Sequence, residues 1–396
     1  MTTVHDFDEI SIEQLRGVGG FKWSLYPEKI GAFVAEMDFG VAPSITEAVN
    51  SAVEQGLFGY LPQHLGEAMS RACSTWQESR YGWKVPMERI RPLADVLTAL
   101  TATIQHFSPA GSKVIVLTPA YTPFLKIPRL CGREIIEVAM KQTPDGWDLD
   151  YEGLDEAFAG GGGLLIMCNP HNPIGKVYTR QEMLKVAKIV DSHNGRVFSD
   201  EIHAPLVYGD NRHVPYASIS PVASGHTITA TSGSKAWNLA GLKAAQLIIS
   251  NDADAAKWMD LRFFPEHGTC NLGVVANTAA YATGSEWLAD VLNYLDGNRR
   301  LLAELVTEHL PGVCYSIPQG TYLALLDCRA LEMDEAPGEF FSEHAGVQLI
   351  DGSACGEAGK GFVRLNFATP RPILTKMLER MGASLAARDR IEAVSR

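Results

Sequence analysis

Four short apolar segments in the chain end on residues that can do chemistry. Lys113 to Thr118 runs into Pro119-Ala120-Tyr121, and Leu164 to Cys168 runs into Asn169-Pro170-His171-Asn172-Pro173. Arg196 to Ser199 runs into Asp200-Glu201-Ile202-His203, and His226 to Thr231 into Ser232-Gly233-Ser234-Lys235. Taken singly, each is ordinary. N-P-x-N-P is a turn signal, and a lone lysine is usually a surface residue. Together they present a phenol ring, an amide, a carboxylate and an amine at successive strand ends, where open α/β sheets bind their ligands. That set suits pyridoxal phosphate. Lys235 supplies the amine for a Schiff base. Asp200 faces the pyridine nitrogen and keeps the ring protonated, so that it can withdraw electrons. Its buried charge is then matched by the pyridinium. Asn172 donates to the phenolic oxygen, and Tyr121 stacks on the ring. Ser232 and Ser234 supply hydroxyls to the phosphate. The backbone of Val96 and Leu97, at the start of a helix capped by Asp95, supplies amides and the positive dipole end. Lys243 is the candidate cation.

The elements that must hold these groups are legible from apolar spacing. Pro43 opens a helix whose Ile45, Ala48, Val49, Ala52 and Val53 share one face, and Gly56 closes it. Thr179-x-x-Glu182 is a capping box for a helix that ends near His193, before Gly195. Gly160 to Gly163 reads as a helix-to-strand loop. Further strands are expected at Arg133 to Ala139 and Ala244 to Ser250. Near-continuous apolar strands alternating with helices imply a mainly parallel sheet covered on both faces. After residue 285 the order changes to a long helix, a strand at Thr321 to Cys328, a strand at Gly361 to Phe367 and a final helix. The expected fold is therefore α/β. It has a large cofactor-binding domain at 43–285 and a smaller α+β domain built from 1–42 and 286–396.

Composition narrows the function. The chain has 396 residues and a net charge of −12, which repels phosphate backbones and argues against nucleic acid as a partner. No apolar run approaches the ~20 residues of a membrane span. The acidic, non-apolar N-terminus and seven scattered cysteines without a C-x-x-C pair fit a cytoplasmic protein. No metal site is expected, because His203, His213 and His226 lack ligand spacing. Gly356 to Gly361 imitates a phosphate-binding loop but lacks its first glycine and final Ser/Thr. Cys168 lies in an apolar run and reads as an inert core thiol.

With these motifs in view, the chain resembles fold-type I pyridoxal-phosphate enzymes of the class I/II aminotransferase superfamily. Within it, the chain is similar to the MalY/PatB-type C–S lyases. The resemblance covers roughly residues 25–385. It rests on Ala35-Glu36-Met37-Asp38-Phe39, Phe58-Gly59-Tyr60, Thr118-Pro119-Ala120-Tyr121, Ser199-Asp200-Glu201-Ile202-His203, Thr231-Ser232-Gly233-Ser234-Lys235 and Gly361-Phe362-Val363-Arg364-Leu365-Asn366. His203 stands where the aminotransferases usually carry Tyr, and Lys243 where the superfamily usually carries Arg. The resemblance implies Schiff-base chemistry at Lys235 and cofactor contacts from Asp200, Asn172, Tyr121 and His203. It implies Arg364 on the substrate α-carboxylate, with Asp38 and Asn172 also at the substrate. It further implies Tyr60 on the phosphate of a neighbouring subunit, hence a homodimer with shared sites. The expected reaction is β-elimination from L-cystathionine or a related S-substituted cysteine, giving a thiol, pyruvate and ammonia. Two alternatives share these residues: an aminotransferase, and a regulatory or binding protein that keeps the fold.

Overall fold

The computed structural model describes residues 7–143 and 146–395. Residues 1–6 of the expected small domain, and Arg396, lie outside the described residues. A seven-stranded sheet runs in the order Ile90–Leu93, Ala245–Ile249, Thr227–Thr231, Arg196–Asp200, Gly162–Cys168, Lys113–Thr118, Ile135–Ala139. Each central strand splits its side chains between two cores. Val114 and Val116 face one apolar cluster, and Ile115 and Leu117 face the other. In the same way, Leu164 and Ile166 oppose Leu165 and Met167. This two-sided burial is why the strands read as unbroken apolar runs. Fully burying each such side chain contributes about 1.5–3 kcal/mol.

The sheet is mainly parallel, as expected, with one antiparallel strand. Ala245–Ile249 pairs antiparallel with both of its neighbours, whereas the other four pairings are parallel. Strand direction is set by how the chain returns, which side-chain pattern does not record. The edge strand Ile90–Leu93 escaped the sequence reading because Arg91 and Pro92 interrupt its apolar pattern. An edge tolerates a proline that a central strand would not. The polar hairpin Lys141–Thr143 with Gly146–Asp148 escaped it for want of apolar residues.

A second, antiparallel sheet joins Cys314–Tyr315, Leu323–Asp327, Phe362–Asn366 and Ile350–Asp351. Helices Ser285–His309 and Arg371–Ser395 pack together beside it. The N-terminal segment joins this part of the molecule: Ile30–Gly31 pairs in parallel with Val347–Gln348, and the Asn366 N–H donates to the Ala32 carbonyl at 2.9 Å. These contacts support the proposed grouping of 1–42 with 286–396. Gly31 is required here, since a Cβ would lie 2.1 Å from the Lys22 carbonyl oxygen. Among the described residues, no helix is long and apolar enough to cross a membrane, and no cluster of potential metal ligands occurs.

Candidate active site

Three strands of the large sheet end at one cavity of about 380 Å³, closed on its far side by the Val34–Glu36 segment. Asp200 is the last residue of its strand and is buried. Its carboxylate accepts one hydrogen bond, from the Ile202 N–H at 3.0 Å. Burial pushes it up to about 7, against that hydrogen bond.

Lys235 leaves a tight turn that Asn277 organises. The Asn277 Oδ1 accepts the Gly233 N–H at 2.9 Å and would lie 3.1 Å from any Cβ at Gly233. The Lys235 amine donates to the Ala35 carbonyl at 2.9 Å. Burial pushes it down to about 8, against the opposing charge of Glu36.

The Asn172 loop is pinned by His171, whose ring bridges the Pro119 carbonyl at 2.9 Å and the Tyr178 hydroxyl at 2.8 Å. Burial pushes His171 down to about 4, so it is neutral and can serve one donor and one acceptor. Asn172 lines the cavity, and its Oδ1 accepts from Arg364 at 3.4 Å. Arg364 is buried and donates to the Phe33 carbonyl at 2.6 Å, while its Nε has no partner. Tyr121 lies on the wall at the start of helix Thr122–Leu130, with its hydroxyl raised by burial. His203 is buried with an unpartnered Nδ1, and burial pushes it down to about 3.

The cavity wall therefore brings together Val96, Leu97, Tyr121, Asn172, Asp200, His203, Ser232, Ser234, Lys235 and Lys243. Of the side chains expected at the phosphate, Ser232 and Lys243 are already engaged. The Ser232 hydroxyl donates to the Ala244 carbonyl at 2.8 Å and accepts the Ser234 N–H at 3.0 Å. Lys243 pairs with Asp95 at 3.2 Å, and Asp95 also caps helix Val96–Ala102 through the Thr98 N–H. An incoming phosphate therefore competes with Asp95 for the Lys243 charge.

Three expected residues are not on the cavity wall. Arg364 stands behind it, donating to the Phe33 carbonyl and to the wall residue Asn172. Asp38 is not on the cavity wall, which corrects its expected place at the substrate. Its oxygens are taken by Lys22 Nζ at 2.7 Å and Trp23 Nε1 at 2.8 Å. Tyr60 is 88% exposed, with its ring 5.7 Å from that of His267, and does not line this chain's cavity. Conversely, Glu36, which the sequence reading passed over, does line it. Nothing in A-E-M-D-F distinguishes the two acids; only the course of the chain does.

The residues fit pyridoxal phosphate on structural grounds. A buried carboxylate left with one hydrogen bond calls for a cationic N–H partner, which a protonated pyridine provides. A desolvated amine on the same cavity is poised for a covalent imine link.

Comparison with known proteins agrees with this geometry. The family profile "Aminotransferase class I and II" matches residues 28–381. A cystathionine beta-lyase from Corynebacterium glutamicum is 38% identical, over 94% of this chain and 99% of its own. The cystathionine beta-lyase PatB of Bacillus subtilis is 32% identical, over 94% and 98%. The crystal structure of a PLP-bound C–S lyase from Staphylococcus hominis superposes with a TM-score of 0.89 at 28% identity, covering 96% of this chain and 99% of that one.

Proposed function

The chain belongs to the class I and II aminotransferase family, and from that premise we propose that it is a pyridoxal-phosphate-dependent C–S β-lyase acting on L-cystathionine or related S-substituted cysteines. When bound, the cofactor supplies an electron sink for charge developing at the substrate α-carbon. The protein's own groups do the rest. Asp200 holds positive charge on the ring nitrogen. Arg364 binds the α-carboxylate through a guanidinium whose Nε is unpartnered. Lys235 Nζ, brought down to about 8 by burial, would take the α-proton in its neutral form, a form that ordinary lysines reach only at much higher pH. The thiolate then departs from the β-carbon, and hydrolysis of the remainder gives pyruvate and ammonia.

One observation favours elimination over transfer between dicarboxylic acids. Arg364, held against the Phe33 carbonyl and the wall residue Asn172, is taken for the α-carboxylate, and among the described residues lining the cavity no second arginine stands to hold a side-chain carboxylate, whereas Glu36 does line it. L-Cystathionine should give pyruvate, ammonia and a thiol in equal amounts without an added keto acid. Activity that requires a keto acid and yields no pyruvate would overturn this reading.

We propose further that the protein is a homodimer with Tyr60 reaching the partner's site. Phe58, Tyr60, Phe263 and Phe264 are 70%, 88%, 68% and 83% exposed, Tyr60 and Phe263 line one surface cleft, and Phe263 packs on Phe264, which supports a covered face there. Mixing Lys235→Ala subunits with Tyr60→Phe subunits should restore part of the activity that each lacks. Failure despite verified subunit exchange would remove the shared site.

A further inference from the structure

The wall segment from Phe33 to Glu36 is held from several sides. Arg364 donates to the Phe33 carbonyl at 2.6 Å, and Asn366 Nδ2 donates to the Val34 carbonyl at 2.7 Å and the Glu36 carbonyl at 2.6 Å. The Tyr322 hydroxyl and Lys235 both donate to the Ala35 carbonyl at 2.9 Å. The backbone of Glu36 is thus fixed at the cavity edge. Its side chain is not: among the described residues, no hydrogen bond or ion pair engages the carboxylate, and the residue is partly exposed and lines the cavity. Among the surrounding charges, Glu36 acts on Lys235 more strongly than Asp200 does.

Every other charge of the site has a counterpart. Lys243 has Asp95. In the lyase reading, Asp200 faces the ring nitrogen, Lys235 forms the covalent link and Arg364 takes the α-carboxylate. Glu36 alone is left for the part of the substrate beyond the sulfur. A partly desolvated carboxylate carried on a fixed backbone attracts a cation and repels an anion more strongly than it would in water.

Resting on the lyase reading, we propose that Glu36 is a specificity residue that selects S-substituted cysteines bearing an ammonium on the sulfur substituent over those bearing only a carboxylate. The test uses the holoenzyme and three probes: S-(2-aminoethyl)-L-cysteine, S-carboxymethyl-L-cysteine and S-ethyl-L-cysteine, assayed by pyruvate release. The expected kcat/KM ratio of aminoethyl to carboxymethyl substrate is at least about tenfold. Glu36→Gln should bring it within about threefold, and Glu36→Asp should keep its direction. The ratio cancels any change in Lys235 basicity or cofactor loading, which all three substrates share, so a merely structural role would not move it. If S-ethyl-L-cysteine is cleaved but the ratio is near one, or survives Glu36→Gln, the proposal fails and the lyase reading stands. If none of the three yields pyruvate, the proposal fails, and the lyase reading stands if L-cystathionine still releases pyruvate and fails if it does not.

Discussion

Two lysines, Lys22 buried and Lys235 half-buried, lie against the same short segment, residues 33–38, and they are treated in opposite ways. Lys22 meets Asp38 at 2.7 Å with both side chains at most 3% exposed, and Trp23 fills the other carboxylate oxygen. Lys235 has no carboxylate partner. Its amine rests on a carbonyl, and the nearby Asp200 holds a single backbone N–H. In the first set, each charge offsets the other's desolvation. In the second, burial drives both groups toward their neutral forms, Lys235 down to about 8 and Asp200 up to about 7. A closed pair holds the chain together; an open pair waits for a ligand that completes it. An outer pair, Lys243 with Asp95, is more than half and about one-third exposed and is only weakly committed.

This contrast can be broken or sharpened by experiment. The largest effect belongs to Lys235→Ala, which should lower kcat/KM at least about a thousandfold, since base and covalent link are lost together. A smaller loss would mean the open pair is not catalytic. Next is Asp38→Ala, which strands a buried lysine and should cost about 3–5 kcal/mol in urea unfolding. Unchanged stability with lost turnover would move Asp38 back to the substrate.

Asp200→Asn tests the open pair in the absence of cofactor. Because the folded protein holds this proton up to about pH 7 while the unfolded chain loses it near 4, wild-type stability should fall as pH rises through that window. The Asn variant should lack this fall and be more stable at pH 8, on the order of 2–4 kcal/mol. Lys235 acts in mirror image, its penalty fading as pH climbs above about 8. A flat wild-type profile from pH 4 to 7 would show that Asp200 is not held as described. Smallest is Lys243→Ala, expected to change cofactor-free stability by less than about 1 kcal/mol, because the pair is exposed and screened. Its effect should surface instead as weaker cofactor retention, read by equilibrium dialysis.

Much of this was legible without coordinates, for a local reason. The capping box Thr179–Glu182 forms as its spacing predicts, and Asp95 caps its helix. Both depend on groups three residues apart. The strands ending at Tyr121, Asn172, Asp200 and Lys235 were readable because burial on both faces leaves unbroken apolar runs. Their convergence followed from the rule that such sheets bind at one end.

What the chain alone did not reveal depends on residues far apart. Asp38 and Glu36 stand two positions apart in one motif, yet one is sealed by Lys22 and the other faces the cavity. Arg364 steadies the wall through a carbonyl 331 residues away. The antiparallel strand Ala245–Ile249 is buried throughout, as the parallel strand Gly162–Cys168 is but for its first residue, so burial does not mark its direction. Residue type and spacing therefore determined which chemistry is present. Only the tertiary structure decided which charges cancel and which stay open, because the cost of burying a charge depends on the partners the folded chain brings to it.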